Sequence, residues 1–203
     1  MGINLNALGY QGTRAAVNGS YETLPPDAYT CVIVNARFDT SQAGNQKLVF
    51  YVDIAEGEHS GYFKRFADSH SDHSWAPKAI CHQGITLNGR LNPYFKGLLE
   101  CIENSNPDYH VNADNFEPRD IIGKKCGFVF GEEEYLDKKN NAVRKNIYIA
   151  YPIAVSNIAN GNFKIPELKK LDDKNKPQPQ PTNKAADDYY YNNSAIDDSD
   201  VPF

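Results

Sequence analysis

The pattern of hydrophobic and polar residues predicts a mainly β protein that contains one helix. Period-two alternation, or apolar residues on both faces, marks five predicted strands, at residues 28–38, 47–54, 62–66, 124–135 and 144–155. Turn residues at 41–45 separate the first two strands, and an Asp-Lys-Lys-Asn-Asn turn at 137–141 joins the last two as a hairpin. The aromatic content, with 13 Tyr and 10 Phe against one Met, favours the same β-rich interpretation.

A helix is predicted between the third and fourth strands. Its apolar residues recur at helical spacing, at Leu91, Tyr94, Phe95, Leu98, Leu99 and Ile102. The Asn-Pro pair at 92–93 suits a helix start, because asparagine caps the first turn and proline fits within it. The predicted order is therefore three strands, one helix and two strands. The five-stranded barrel of the oligonucleotide-binding (OB) fold has the same order of elements. Other small α+β folds share this order, so the order alone leaves them open.

The chain outside residues 21–164 differs in character from this predicted OB-like domain. Residues 1–20 are rich in Asn, Gly and Ala and predict a loose N-terminal arm. Residues 165–196 include a Pro-Gln-Pro-Gln-Pro run at 177–181 and predict a disordered linker. Residues 197–203 combine three Asp with a final Val-Pro-Phe and predict a short acidic tip.

The net charge of −5 argues at first against a nucleic-acid partner, because such binding normally depends on Lys and Arg. The charge is, however, unevenly distributed along the chain. Residues 172–203 contain seven Asp and three Lys, a net charge of −4, so the rest of the chain carries only −1. A near-neutral domain permits a basic groove on one of its faces.

The cysteines and the hydropathy of the chain predict a soluble cytoplasmic protein. Cys31, Cys81, Cys101 and Cys126 show no short paired spacing, and we expect them to be reduced and buried. No apolar run approaches the roughly 20 residues of a membrane-spanning helix. The N-terminus also lacks the hydrophobic region of a signal peptide.

The acidic tip resembles the C-terminal tip of bacterial single-stranded DNA-binding proteins of the SSB type, which recruits replication, recombination and repair proteins. An aromatic residue at a chain end can enter a pocket on another protein while basic residues at the pocket rim hold the carboxylates. The resemblance therefore implies that the partner-binding residues are Asp197, Asp198, Asp200, Val201, Pro202 and Phe203.

The domain itself resembles phage-encoded single-stranded DNA-binding proteins. Tyr-Glu-Thr-Leu-Pro at 21–25 and Val-Ile-Val-Asn-Ala at 32–36 are similar to their opening, while Ile-Gly-Lys at 122–124 and Tyr-Pro at 151–152 are similar to their closing half. The resemblance implies a non-enzymatic protein without a cofactor, which coats and protects single-stranded DNA during phage replication or recombination in the host cytoplasm. Barrels of this kind occur as monomers and as homo-oligomers, and the sequence does not choose between them.

A binder of single strands without sequence preference interleaves aromatic platforms for the bases with cations for the phosphates. The aromatic candidates for this DNA-binding role are Tyr51, Tyr62, Phe66, Trp75 and Tyr148. The basic candidates are Arg37, Lys47, Lys64, Arg65, Lys138, Lys139, Arg144 and Lys145. Packing inside the barrel is the alternative role for each aromatic residue, and it is favoured for Phe50, Phe128 and Phe130.

Two other functions stay open at this point. A His-rich stretch supplies groups that bind transition metals, namely His59, Asp68, His70, Asp72, His73, Cys81 and His82. A metal-dependent nucleic-acid enzyme is therefore one alternative, although this spacing fits no closed four-ligand motif, and we favour a solvated loop without metal. The other alternative is an adaptor whose barrel contacts a recombination protein instead of DNA.

Overall fold

The computed structural model describes residues 4, 6–8 and 23–172 of the chain. Most of the predicted N-terminal arm lies outside the described residues, apart from residue 4 and a short 3₁₀ turn at Asn6–Leu8. The predicted linker beyond residue 172 and the acidic tip at 197–203 also lie outside them.

The described residues form a mainly β structure with few helices. In chain order the elements are β1 (Ala28–Thr40), β2 (Gln46–Ile54), α1 (Tyr62–Asp68), β3 (Ile80–Gly84), β4 (Thr86–Leu87), β5 (Arg90–Leu91), α2 (Pro93–Ser105), β6 (Lys125–Asp137), β7 (Ala142–Ile153) and α3 (Val155–Ala159). Short 3₁₀ helices lie at Pro77–Ala79 and Pro118–Ile121. Five strands form one antiparallel sheet in the order β3-β2-β1-β6-β7, and β4 pairs with β5 as a separate small hairpin.

The predicted third strand at residues 62–66 is wrong, because this segment is helix α1. Phe63 and Ala67 are its buried residues, and their four-residue spacing fits one face of a helix. Gly61 precedes the helix in a left-handed conformation with φ of 72°, which turns the chain after β2. The third strand of the sheet is instead β3, a segment for which the sequence predicted no strand.

A buried carboxylate fixes the start of α1 on the sheet. Asp53, only 6% exposed, accepts hydrogen bonds at Oδ1 from the backbone N–H groups of Ile54 and Phe63, both at 2.9 Å. The first N–H groups of a helix have no partner within the helix, so the Asp53 carboxylate supplies one. Its negative charge also lies at the favourable end of the helix dipole.

Helix α2 and the hairpin of β6 and β7 are confirmed. The Asn92 side chain accepts a hydrogen bond from the backbone N–H of Tyr94 at 3.0 Å and caps α2 as expected. The buried residues of this helix are Phe95, Leu98, Leu99 and Ile102, all from the predicted apolar set. The hairpin pairs Gly127 with Ile153 at one end and Asp137 with Ala142 at the other, with a register shift between Val129 and Phe130.

The main hydrophobic core lies between the sheet and α2, which contacts β3, β6 and β7. Phe50, Phe128 and Phe130 belong to this core, as predicted. The sheet is not closed, since β3 and β7 are its two edge strands and no backbone pairing joins them. The described structure is therefore an open five-stranded antiparallel sheet packed on one main helix.

We expect Asp53→Ala to lower the free energy of unfolding by about 2–4 kcal/mol, because two backbone N–H groups in a buried site lose their acceptor. Asp53→Asn should lose less, since its side-chain oxygen can still accept one of these bonds. Asp68→Ala, at the exposed end of the same helix, is the matched control and should cost no more than about 1 kcal/mol. Urea unfolding followed by circular dichroism measures all three, and equal losses for Asp53→Ala and Asp68→Ala would contradict the role given to Asp53.

Candidate nucleic-acid interface

The structure brings three predicted DNA-binding residues, Arg37, Tyr51 and Trp75, into one cluster. Arg37 Nη1 donates a hydrogen bond of 2.6 Å to the Tyr51 hydroxyl, and its guanidinium carbon lies 5.6 Å from the Tyr51 ring centroid. The Trp75 ring meets the Tyr51 ring edge-on, with their centroids 6.4 Å apart. We call these three residues the outer-face cluster.

The strand register explains why Arg37 and Tyr51 meet. Tyr51 alternates along β2 with the core residues Phe50 and Val52, so it lies on the opposite, outer face of the sheet. Arg37 pairs with Val49, two residues from Tyr51, and directly paired residues share a face.

Trp75 reaches this cluster from the loop after α1. Its indole Nε1 donates to the Val52 carbonyl oxygen at 3.2 Å, and its ring packs partly against the core. Trp75 thus anchors its loop to β2 and also contacts the ring of Tyr51.

Lys47 lies on the same outer face, but its charge is shared. It pairs across the strands with Asp39, with 3.6 Å between the ammonium nitrogen and a carboxylate oxygen. A hydrogen bond from the Thr40 backbone N–H, helped by the Lys47 charge, lowers the pKa of Asp39. Lys47 therefore adds less positive potential to this face than an unpaired lysine would.

The four candidates at residues 62–66 do not form the predicted alternating strand face, because they lie on helix α1. Lys64 pairs with Asp68 at 2.6 Å, and Arg65 donates to the Ser60 carbonyl oxygen. The Phe66 and His70 rings lie 4.3 Å apart, and Tyr62 packs partly against the core. These side chains make contacts within helix α1 or pack it against the sheet. They do not form one strand face with the outer-face cluster.

The cations of the β6–β7 hairpin differ in their pairing. Arg144 pairs with Asp137 at 2.9 Å, and Lys145 pairs with Glu132 at 3.1 Å. Lys138 and Lys139 are exposed in the turn, and no carboxylate of residues 23–172 lies within 4.0 Å of either. The turn therefore presents two cations that are available to a phosphate.

The ring of Tyr148 is closely packed by Gly131 and Lys169. A Cβ atom added to Gly131 would lie 3.0 Å from the hydroxyl end of the ring. On the ring, the Lys169 ammonium nitrogen lies 3.5 Å from the centroid. The first residues of the predicted linker hold it there, since the Lys169 carbonyl oxygen accepts from the Glu134 N–H at 2.8 Å and the Lys169 N–H donates to Glu132 at 3.0 Å. A base could stack on the face that Lys169 covers only after this segment moved.

Sequence reasoning missed a cleft of about 470 Å³ between the edge strands β3 and β7. Lys78, from the 3₁₀ helix at Pro77–Ala79, lines it together with Cys81 and His82. Burial lowers the pKa of Lys78 and raises the pKa of Cys81 to about 12, so this thiol stays protonated at neutral pH. The missing pairing between β3 and β7 has no signal in the sequence, which is why neither the cleft nor Lys78 was predicted.

The His-rich stretch does not assemble a group of ligands in the part of the chain that the structure describes. No three of its His, Cys, Asp and Glu side chains are grouped so that they could hold a metal ion. All four cysteines are free thiols, with Cys31 and Cys126 buried.

The comparisons with known proteins add no assignment. No protein-family model matches the chain, and no curated protein sequence is significantly similar to it. Among the helices that the structure describes, none is long and apolar enough to cross a membrane.

Proposed function

We propose that this chain is a single-stranded DNA-binding protein whose domain is an OB-like barrel. It coats and protects single strands during phage replication or recombination, and it acts without catalysing a reaction. The observation that carries this proposal is the outer-face cluster, in which a cation and two aromatic rings lie together on β2 and its neighbours. Both rings are half-buried and the arginine is exposed; arginine beside aromatic rings is the combination that single-stranded nucleic acid requires for its phosphates and bases.

The strand order supports the choice of an OB-like fold. An OB barrel is partly open, and it binds oligonucleotides on the face of its second and third strands, flanked by the loops between strands one and two and between strands four and five. In this chain the corresponding strands are β2 and β3, and the second of these loops corresponds to the β6–β7 turn. Tyr51 lies on the outer face of β2, and Lys138 and Lys139 lie in that turn.

The tip at 197–203 has a separate role in this proposal. Its carboxylates and terminal Phe203 bind replication and recombination proteins, while the domain holds the DNA. These separate roles of tip and domain also explain how a DNA-binding protein can have a net negative charge, because most of that charge lies in residues 172–203 and not in the domain.

We expect tight, salt-sensitive binding to oligothymidine and much weaker binding to a duplex of equal length. The chain has one Trp, so quenching of Trp75 fluorescence reports occupancy of the outer-face cluster without a label. The logarithm of the binding constant should fall with the logarithm of salt concentration by roughly 0.7 per phosphate neutralised. Equal affinity for single strands and duplex would overturn the proposed function, and no binding at all would favour the adaptor alternative.

Tyr51→Leu and Arg37→Gln should each weaken oligothymidine binding, since one removes a stacking ring and the other a cation. We expect Tyr51→Leu to raise the Kd by roughly 5- to 150-fold, which corresponds to about 1–3 kcal/mol for a stacked base. Tyr94→Leu is the matched control, because Tyr94 is an aromatic residue with 76% exposure on α2 and lies outside the cluster. Fluorescence anisotropy with labelled oligothymidine measures all three, and equal effects of the two tyrosine variants would remove the outer-face cluster from the site.

Deletion of residues 197–203 should leave DNA affinity unchanged or higher, because it removes negative charge and no part of the proposed DNA site. The same deletion should abolish capture of replication or recombination proteins in a pull-down assay. Phe203→Ala separates the aromatic contribution from the charge. Undiminished capture by the deleted protein would refute the role given to the tip.

A further inference from the structure

The open side of the sheet presents backbone hydrogen-bonding groups that have no partner strand. β3 and β7 are the edge strands, and no backbone hydrogen bond joins them. Alternate N–H and C=O groups of an edge strand point away from its one neighbour. Both strands run in the same direction, because each is related to β1 by an even number of antiparallel pairings. We call the space between them the seam.

The seam is a shaped cleft and not a flat surface. Its volume of about 470 Å³ lies within the range of roughly 300–1,000 Å³ that small-molecule sites occupy. Phe50, Leu98 and Phe128 line it from the core side, which gives it an apolar floor. The amide side chains of Gln83 and Asn146 line it from opposite strands.

Lys78 gives the seam a positive charge without a counter-charge. It is half-buried on a 3₁₀ helix that contacts β7, and no carboxylate among residues 23–172 lies within 4.0 Å of its ammonium. It lies over the Tyr62 ring, with the nitrogen 5.6 Å from the centroid. Glu133 lines the same cleft, but it is not an ion-pair partner of Lys78.

A half-buried ammonium loses hydration that no carboxylate of the described residues replaces, which agrees with the lowered pKa of Lys78. An anionic ligand would restore that lost interaction. An extended peptide could pair with the strand edges, but its neutral backbone would leave Lys78 without a counter-charge. A nucleotide supplies a phosphate for Lys78, polar base edges for the strand edges and amides, and a flat ring for the apolar floor.

We propose that the seam holds one nucleotide of the bound single strand, with its base between β3 and β7 and its phosphate on Lys78. This inference rests on the proposed function and adds a second point of contact, separate from the outer-face cluster. The strand would stack on Tyr51 at the outer face of β2 and insert one base past the edge of β3. A free mononucleotide carries the same chemistry, so the experiment includes one.

The first arm of the test uses charge variants of the full chain. Lys78→Gln should weaken oligothymidine binding about tenfold, as loss of one charge-assisted contact does. Lys78→Arg keeps the charge and should stay within about twofold of the unsubstituted protein. Lys96→Gln is the matched control, since Lys96 is an exposed lysine of α2 paired with Glu100 at 3.3 Å, and its binding should not change.

The second arm locates the base directly. Oligothymidine carrying one 5-iododeoxyuridine is photo-crosslinked to the unsubstituted protein, and the adduct is mapped by mass spectrometry. We expect adducts within residues 80–84 or 146–152, and expect Lys78→Gln to reduce them. Titration with thymidine monophosphate is followed by NMR. If the seam binds a nucleotide of the strand and not a free mononucleotide, the NMR signals of the same residues should shift only at a much higher concentration of the monophosphate than of the oligonucleotide.

The outcomes separate the seam from the proposed function. Tight oligothymidine binding with Lys78→Gln unaffected and adducts only near Tyr51 would overturn the seam site and leave the proposed function standing. Shifts at the seam caused by a peptide of residues 197–203, and not by any nucleotide, would also overturn it and make the seam a peptide site. Equal affinity for single-stranded and duplex DNA would overturn both the proposed function and the seam site.

Discussion

Strand β1 holds the two halves of the sheet together. Its first part, residues 28–32, pairs with β6, while residues 31–40 pair with β2. Cys31 and Val32 pair with both β2 and β6, and Ile33 pairs with β2 and bonds to the loop just before β6. The register with β2 shifts at this point, between Ile33 and Asn35. A shift of this kind bends a strand and increases its twist. The β2–β3 and β6–β7 pairs therefore diverge from a short shared segment, and the rest of the architecture follows from that geometry.

Both candidate contact regions are consequences of this arrangement. Beyond Ile33, β1 pairs along its length only with β2, and there Arg37 lies beside Tyr51 on the face opposite Phe50 and Val52. At the other side of the sheet, β3 and β7 approach without pairing and leave a cleft that α2 backs with Leu98. The outer face has two half-buried rings and an exposed guanidinium, whereas the cleft has strand edges and one half-buried ammonium. The two regions differ in chemistry because one is a sheet face and the other is a pair of sheet edges.

The sequence predicts the parts of this structure whose signals are long and regular. Helix α2 contains five of the six predicted apolar residues and has an Asn-Pro start, whereas the sixth, Leu91, lies in β5. The β6–β7 hairpin has two long strands around a polar turn. Helix α1 has only seven residues, and its sequence Tyr-Phe-Lys-Arg-Phe fits a short strand as well as two turns of helix. The hydrogen bond that favours the helix, from the Phe63 N–H to Asp53, joins residues ten positions apart, so the local pattern does not reveal it. At the site, Arg37 and Tyr51 follow from strand alternation, but Trp75 and Lys78 depend on where irregular segments fold back, which local periodicity does not encode.

The bond from Arg37 to Tyr51 has a consequence for how a strand would be captured. A guanidinium has five N–H donors, and the phenol of Tyr51 uses one of them, so donors are left for a phosphate while the first bond stays intact. An arginine side chain free in solvent loses up to about 2 kcal/mol of conformational entropy when a ligand orders it. Here part of that ordering is completed when the sheet folds. The outer face is therefore preorganised, and under the proposed function a bound strand would require less new ordering of the protein than it would on a surface of mobile side chains.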